Sequence, residues 1–149
     1  MDSVAVSLQF SQFPSKYTCV GEDISPPISI QGAAGKSMVL IMEDPDAPGG
    51  TYVHWVMWNM RPMETIPEGV PRASVIEKPF SARQGRNTAR KTGYMGPCPP
   101  KGRPHRYFFR VYVLDIELQL AESAGKKELV EAMEGHIKQY GEAMATFGR

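Results

Sequence analysis

Cysteine is almost absent, with Cys19 and Cys98 alone in 149 residues. That is too few for a disulfide framework or a four-cysteine zinc site. Both are expected as reduced thiols, a pairing between them being the alternative. Histidine is as sparse, at positions 54, 105 and 136. No apolar run approaches the ~18 residues of a membrane span, and Met1-Asp2-Ser3 opens without a basic segment leading into an apolar one. The expectation is therefore a cytoplasmic chain with no membrane insertion. Repeats and low-complexity tracts are missing, and a composition of 42% hydrophobic and 22% charged residues excludes coiled coil, collagen and wholesale disorder. One domain over residues 1–149 follows from length.

Proline and local charge are what the chain has in plenty. Thirteen prolines predict a turn-rich fold with few long helices. The net charge of +1 conceals an uneven distribution. Residues 1–71 hold 3 basic and 8 acidic groups, residues 72–110 hold 10 basic groups and the single acid Glu77, and residues 111–149 hold 4 basic and 7 acidic. A middle third this basic suits an anionic partner or forms a solvated face.

Hydrophobic periodicity predicts mostly strands. Val4, Val6, Leu8 and Phe10 alternate with smaller or polar residues, and a short strand is read near Ile28–Ile30. Met38–Met42 reads as a central strand buried on both faces. Tyr52–Met60 follows, with His54, Val56 and Trp58 on one face and Val53, Trp55 and Met57 on the other. Ser74–Glu77 is a weak strand, residues 79–104 a long loop, and Arg106–Leu114 the strongest strand of the chain. Leu129, Val130, Met133, Ile137, Tyr140 and Met144 recur at 3–4 spacing, which predicts a helix over the C-terminal stretch. The pattern is mainly β, a sandwich or barrel with a C-terminal helix.

Polar residues gather where these strands end. Asp44 closes one strand, His54 opens the next, and His105 with Tyr107 opens a third. If the first two pair antiparallel, Asp44 and His54 meet at one end of the sheet. Two imidazoles, a carboxylate to orient one of them, and a phenol make a donor set for a phosphate-sized anion. Backbone N–H groups of Gly96 and Cys98 are candidate additions. Each residue also has an ordinary reading, as a hydrogen-bonded surface histidine, a turn-forming Asp before Pro, or a core tyrosine.

Other chemistries fit less well. No close ligand pair anchors a metal on His54, His105 and Asp44 or Asp46. A Cys98–His105–Asp44 nucleophilic set has Cys98 wedged between Pro97 and Pro99. No phosphate-binding loop motif is present. Arg83, Arg86, Arg90, Lys91, Lys101, Arg103 and Arg106 have Tyr94 as their one interleaved aromatic and no base-stacking motif, so no nucleic-acid partner is expected.

Two stretches resemble the signatures of the phosphatidylethanolamine-binding proteins, also called Raf kinase inhibitor-like proteins. They are Asp44-Pro45-Asp46-Ala47-Pro48 followed by His54-Trp55, and Gly96-Pro97-Cys98-Pro99-Pro100-Lys101-Gly102 followed by His105-Arg106-Tyr107. Tyr17-Thr18-Cys19, Ile24-Ser25-Pro26-Pro27 and Ala132-Met133-Glu134-Gly135-His136 are similar to its bacterial and archaeal branch. The resemblance implies an antiparallel β-sandwich with an anion pocket of Asp44, His54, Gly96, Cys98, His105 and Tyr107, walled by Asp46, Pro48, Pro99 and Pro100. It implies phosphate or a phosphorylethanolamine-like anion as ligand, without cofactor, metal or catalysis. The implied role is regulatory or inhibitory toward a protein kinase or serine protease, and a homodimer is compatible with it. Two other readings stand beside it: serine-protease inhibition through an exposed loop, and phosphoester hydrolysis by His54 and His105 as acid and base.

Overall fold

The computed structural model describes residues 2–149. In chain order the strands are β1 (Asp2–Ser3), β2 (Ala5–Ser7), β3 (Ile28–Gln31), β4 (Ser37–Asp44), β5 (Tyr52–Met60), β6 (Thr65–Ile66), β7 (Val75–Ile76), β8 (Ala82–Gln84) and β9 (His105–Leu114). Helix α1 (Lys126–Met133) and strand β10 (Ile137–Phe147) complete the chain, and Ser15–Tyr17 adds one 3-10 turn. A seven-stranded sheet runs in the order β1-β10-β9-β4-β5-β8-β7, and β2-β3-β6 form a second, smaller sheet. All pairs are antiparallel except β1 with β10. The architecture is the expected mainly β sandwich.

The core has two layers because the central strands are apolar on both faces. Every residue of β4 is buried. Its Met38, Leu40 and Met42 point between the sheets, where they pack with Ile28, Ile30, Trp55, Met57, Tyr107, Phe109 and Val111. Val39 and Ile41 point the other way, to Val56, Trp58, Leu114, Leu118, Leu129 and Met133 beneath α1. Lys126 at the start of α1 ties the helix to that face through Glu43 (2.5 Å), which Arg110 also grips (2.8 Å).

Two sequence-based expectations need correction here. The alternating stretch read from Val4 to Phe10 is a strand only over Ala5–Ser7, in the small sheet, and Asp2–Ser3 just before buried Val4 belongs to the large one. The C-terminal helix is real only over Lys126–Met133. Gly135 adopts a positive φ of 82°, and the following residues form β10, paired with β9 along its whole length. The inward positions of β10 are Gln139, Gly141, Ala143 and Ala145, so it has no alternating large apolar residues to betray a strand. Ile137, Tyr140 and Met144 imitate helical spacing in consequence. Gly141 is required where it stands: a Cβ there would lie 1.9 Å from the carbonyl oxygen of Val4.

Candidate functional site

Three strand ends and one loop enclose a cavity of about 250 Å³ lined by Asp44, Ala47, Pro48, Tyr52, His54, Met95, Gly96, Cys98, Pro99, Pro100, His105 and Tyr107. Asp44 is the last residue of β4, Tyr52 and His54 open β5, and His105 and Tyr107 open β9. Strand β4 lies between β5 and β9, which brings these ends together. The turn Asp44–Gly50, with prolines at 45 and 48, cannot extend the ladder and folds beside them.

The face on which His54 lies is decided by a β-bulge. Glu43 pairs with Val53 and Met42 with Trp55, which leaves His54 as the extra residue of β5. Simple alternation puts His54 with Val56 and Trp58; the bulge turns it to the opposite side, toward Tyr107. The ring centroids of His54 and Tyr107 lie 5.3 Å apart, and those of His54 and Tyr52 4.8 Å.

Both histidines are anchored by the same atom. His54 Nδ1–H donates to the carbonyl of Met95 (2.6 Å), and His105 Nδ1–H donates to Asp44 Oδ2 (2.7 Å). Each bond fixes the tautomer and leaves Nε2 as the ring nitrogen open to a ligand. The second oxygen of Asp44 accepts the backbone N–H of Asp46 (2.8 Å), so both of its oxygens are engaged. Asp44, His54 and His105 are 3%, 5% and 8% exposed, and Tyr107 is fully buried. Burial holds the His54 imidazole below its ordinary pKa, although the Met95 carbonyl and the Asp44 charge pull it upward. Burial, together with the Asp44 carboxylate, pushes the Tyr107 phenol well up, so it stays a protonated donor near neutral pH.

Most of the expected pocket residues line this cavity. Asp46 does not: its carboxylate turns to Arg106, accepting from Nε (3.0 Å), Nη2 (2.9 Å) and the backbone N–H (2.9 Å). Those bonds lower its pKa to about 2. Gly96 lines the wall, but its N–H is not offered to the cavity, because it donates to Asp23 Oδ1 (2.8 Å). Glycine is needed there for close approach, since a Cβ would sit 2.2 Å from that oxygen and 2.4 Å from Tyr17 O. Ala47, Tyr52 and Met95 complete the lining and were not read from the sequence. Tyr52 carried a usable signal, since it shares a strand with His54 and pairs with Asp44. Met95, in a stretch without regular structure, carried none.

The reduced-thiol expectation is overturned. Cys19 and Cys98 form a disulfide across 79 residues of sequence, with Cα atoms 5.4 Å apart. Nothing local could reveal this, because the loop of residues 15–24 reaches Cys98 only through the fold. The bond also removes the thiol that a Cys98–His105–Asp44 nucleophile would need. His136 lies elsewhere, bonded to Asp115 (2.8 Å) and exposed. Among the described residues no three His, Cys, Asp or Glu side chains converge as a metal site, and no helix is long and apolar enough to cross a membrane.

Comparison with known proteins bears on the family and the fold. Residues 6–148 match the family model described as phosphatidylethanolamine-binding protein. A UPF0098 protein of Pyrococcus abyssi is 51% identical over 139 residues, covering 91% of this chain and 78% of its own. A UPF0098 protein of Chlamydia trachomatis is 42% identical over 142 residues, covering 90% of this chain and 89% of its own. Among solved structures, a phosphatidylethanolamine-binding protein homolog from Chlamydia trachomatis superposes with a TM-score of 0.89 at 38% identity, covering 100% of this chain and 99% of that one. Escherichia coli YbcL, described as a member of the mammalian family, gives 0.87 at 26% identity and covers 99% of both chains. With the matched segment spanning nearly all of the sequence and the sandwich superposing throughout, the chain belongs to the phosphatidylethanolamine-binding protein family.

Proposed function

We propose that the cavity binds a phosphate-sized anion, either free or as the phosphoryl group of a phosphorylethanolamine-like molecule. The protein then acts as a non-enzymatic binding module with a regulatory role toward another protein. The observation that carries this reading is the shared anchoring of His54 and His105 through Nδ1, which leaves in one cavity the Tyr107 hydroxyl and two Nε2 atoms that become donors when an anion draws a proton onto the rings. Donors fixed before the ligand arrives lose little entropy on binding, and protonated imidazoles make the stronger, charge-assisted bonds. At about 250 Å³ the cavity falls below the ~300–1,000 Å³ of drug-sized sites, which suits a small head group rather than a whole lipid.

The non-enzymatic part rests on the lining. It contains no serine, threonine or lysine, its one cysteine is oxidised, and its buried tyrosine resists ionisation. None of these groups is an activated nucleophile, and Asp44 has both oxygens engaged, so a covalent phosphoryl intermediate would have to form on Nε2 of His54 or His105.

Titration calorimetry with inorganic phosphate and with phosphorylethanolamine tests the reading. Each of His54→Ala and His105→Ala is expected to weaken binding about ten- to hundred-fold, the worth of one charge-assisted hydrogen bond. No binding by the unaltered protein, or binding equal in both variants, would overturn it. Turnover of a chromogenic phosphoester that disappears in His105→Ala would favour a hydrolase instead. Serine-protease inhibition that survives both substitutions would place that activity on an exposed loop.

A further inference from the structure

One wall of the cavity, residues 95–100, has no regular secondary structure. Pro97, Pro99 and Pro100 give it no N–H groups with which to join a ladder. It is held by side chains, by a backbone bond from Met95 N–H to His54 O (3.0 Å), and by a neighbouring loop, residues 17–23, itself without strands. Cys19 N–H donates to Pro97 O (3.1 Å), Gly96 N–H to Asp23 Oδ1 (2.8 Å), and the hydroxyl of the adjoining Tyr94 to Tyr17 O (2.6 Å). Arg149 Nε donates to Pro99 O (2.8 Å) at the far end. The single covalent link in this array is the Cys19–Cys98 disulfide. Both of its residues are exposed, while Cys98 also lines the cavity.

We infer that this disulfide is a redox-operated latch on the cavity wall: reduction frees residues 95–100 and lowers the affinity of the site for its anion. The location carries the inference, since a bond serving the core alone would not sit exposed at the edge of the cavity and form part of its lining. A dithiol reductant attacks one sulfur and forms a mixed disulfide, and its second thiol then displaces that sulfur. The Cys19–Cys98 bond breaks, the two sulfurs take up two electrons and two protons, and the dithiol leaves as a cyclic disulfide. Hydrogen bonds, each exchangeable for water, and the packing of buried Gly96, Pro97 and Pro99 then remain as the ties on the wall. The Met95 carbonyl that orients His54 lies on this same segment, so a loosened wall also releases the imidazole. A wall in its binding geometry for about a tenth of the time weakens apparent affinity about ten-fold.

The affinity part of this inference rests on the anion-binding reading; the release of the wall does not. The test therefore uses two measurements on the full chain, oxidised, reduced with a dithiol, and as Cys19→Ser. Amide hydrogen exchange is expected to speed up at residues 95–103 on reduction while β4 and β9 keep their protection. Calorimetry with inorganic phosphate is expected to show about ten-fold weaker binding in the reduced protein and in Cys19→Ser, with recovery on reoxidation of the unaltered chain alone. Unchanged exchange at the wall, or faster exchange spread evenly through both sheets, would overturn the latch. Equal phosphate affinity in both redox states, with binding intact, would overturn it too. A wall that loosens in a protein that binds no phosphate in either state would uphold the latch and sink the anion reading.

Discussion

His54 shows how much one residue depends on its backbone partner. Alternation along β5 assigns it to the face of Val56 and Trp58, and the bulge opposite Met42 and Glu43 reassigns it to the cavity. Its burial has a consequence for pH. Because the folded chain holds this imidazole below its ordinary ~6.5, the unfolded chain takes up a proton first as the solution is acidified. His54 thus leaves stability untouched above about pH 7. Stability is lost as pH falls from about 6.5 toward the lowered folded-state value. Thermal melts between pH 7 and 5 are expected to show this decline, and His54→Gln, which keeps a donor and removes the titration, is expected to flatten it. A bound anion reverses the sign by favouring the protonated ring. Sulfate, whose charge is constant in this range, is therefore expected to raise the melting temperature more at pH 5.5 than at pH 7.5. An equal rise at both values would show that His54 does not face the anion.

At the scale of elements, β10 is the instructive case. Its inward position at Gly141 lies against the backbone of Val4, and this close approach leaves no room for a methyl group. Gly141→Ala is expected to lose about 1–3 kcal/mol in urea denaturation, the usual cost of overpacking. Gly49→Ala is the matched control: its added methyl meets nothing within 4 Å, and little change is expected. The strands that could be read directly, β4, β5 and β9, are those whose side chains are large and apolar on the buried faces. Short strands such as β1 and β6 carry two residues each and contain no periodicity to detect, whereas β7 falls within the weak strand read over Ser74–Glu77. The long loop read over residues 79–104 hides β8, whose Gln84 is buried to accept the indole N–H of Trp55 (2.7 Å).

Across the whole molecule, the sandwich supplies a rigid platform and the disulfide closes a long chain segment over one end of it. Cross-linking residues 79 apart restricts the unfolded chain, and such bonds contribute typically about 2–4 kcal/mol. The double variant Cys19→Ser/Cys98→Ser is expected to lose that amount in denaturant unfolding, with β4 and β9 still forming the last structure to open. A loss near zero would mean that the hydrogen bonds between residues 17–23 and 94–97 hold the loop by themselves. The two apolar faces of the large sheet explain why this cross-link is not needed for the core itself, since β4 is sealed by the small sheet on one side and α1 on the other.

Residue identity and period alone determined the mainly β character, the central strands, and the placing of Asp44, His54, His105 and Tyr107 at strand ends, because burial leaves a local imprint on neighbouring positions. Tertiary structure alone decided the side to which His54 turns, the strand formed by residues 137–147, the turning of Asp46 to Arg106, and the union of Cys19 with Cys98. Each of these depends on a backbone or side chain distant in sequence, and a local pattern carries no record of the partner that will be brought against it.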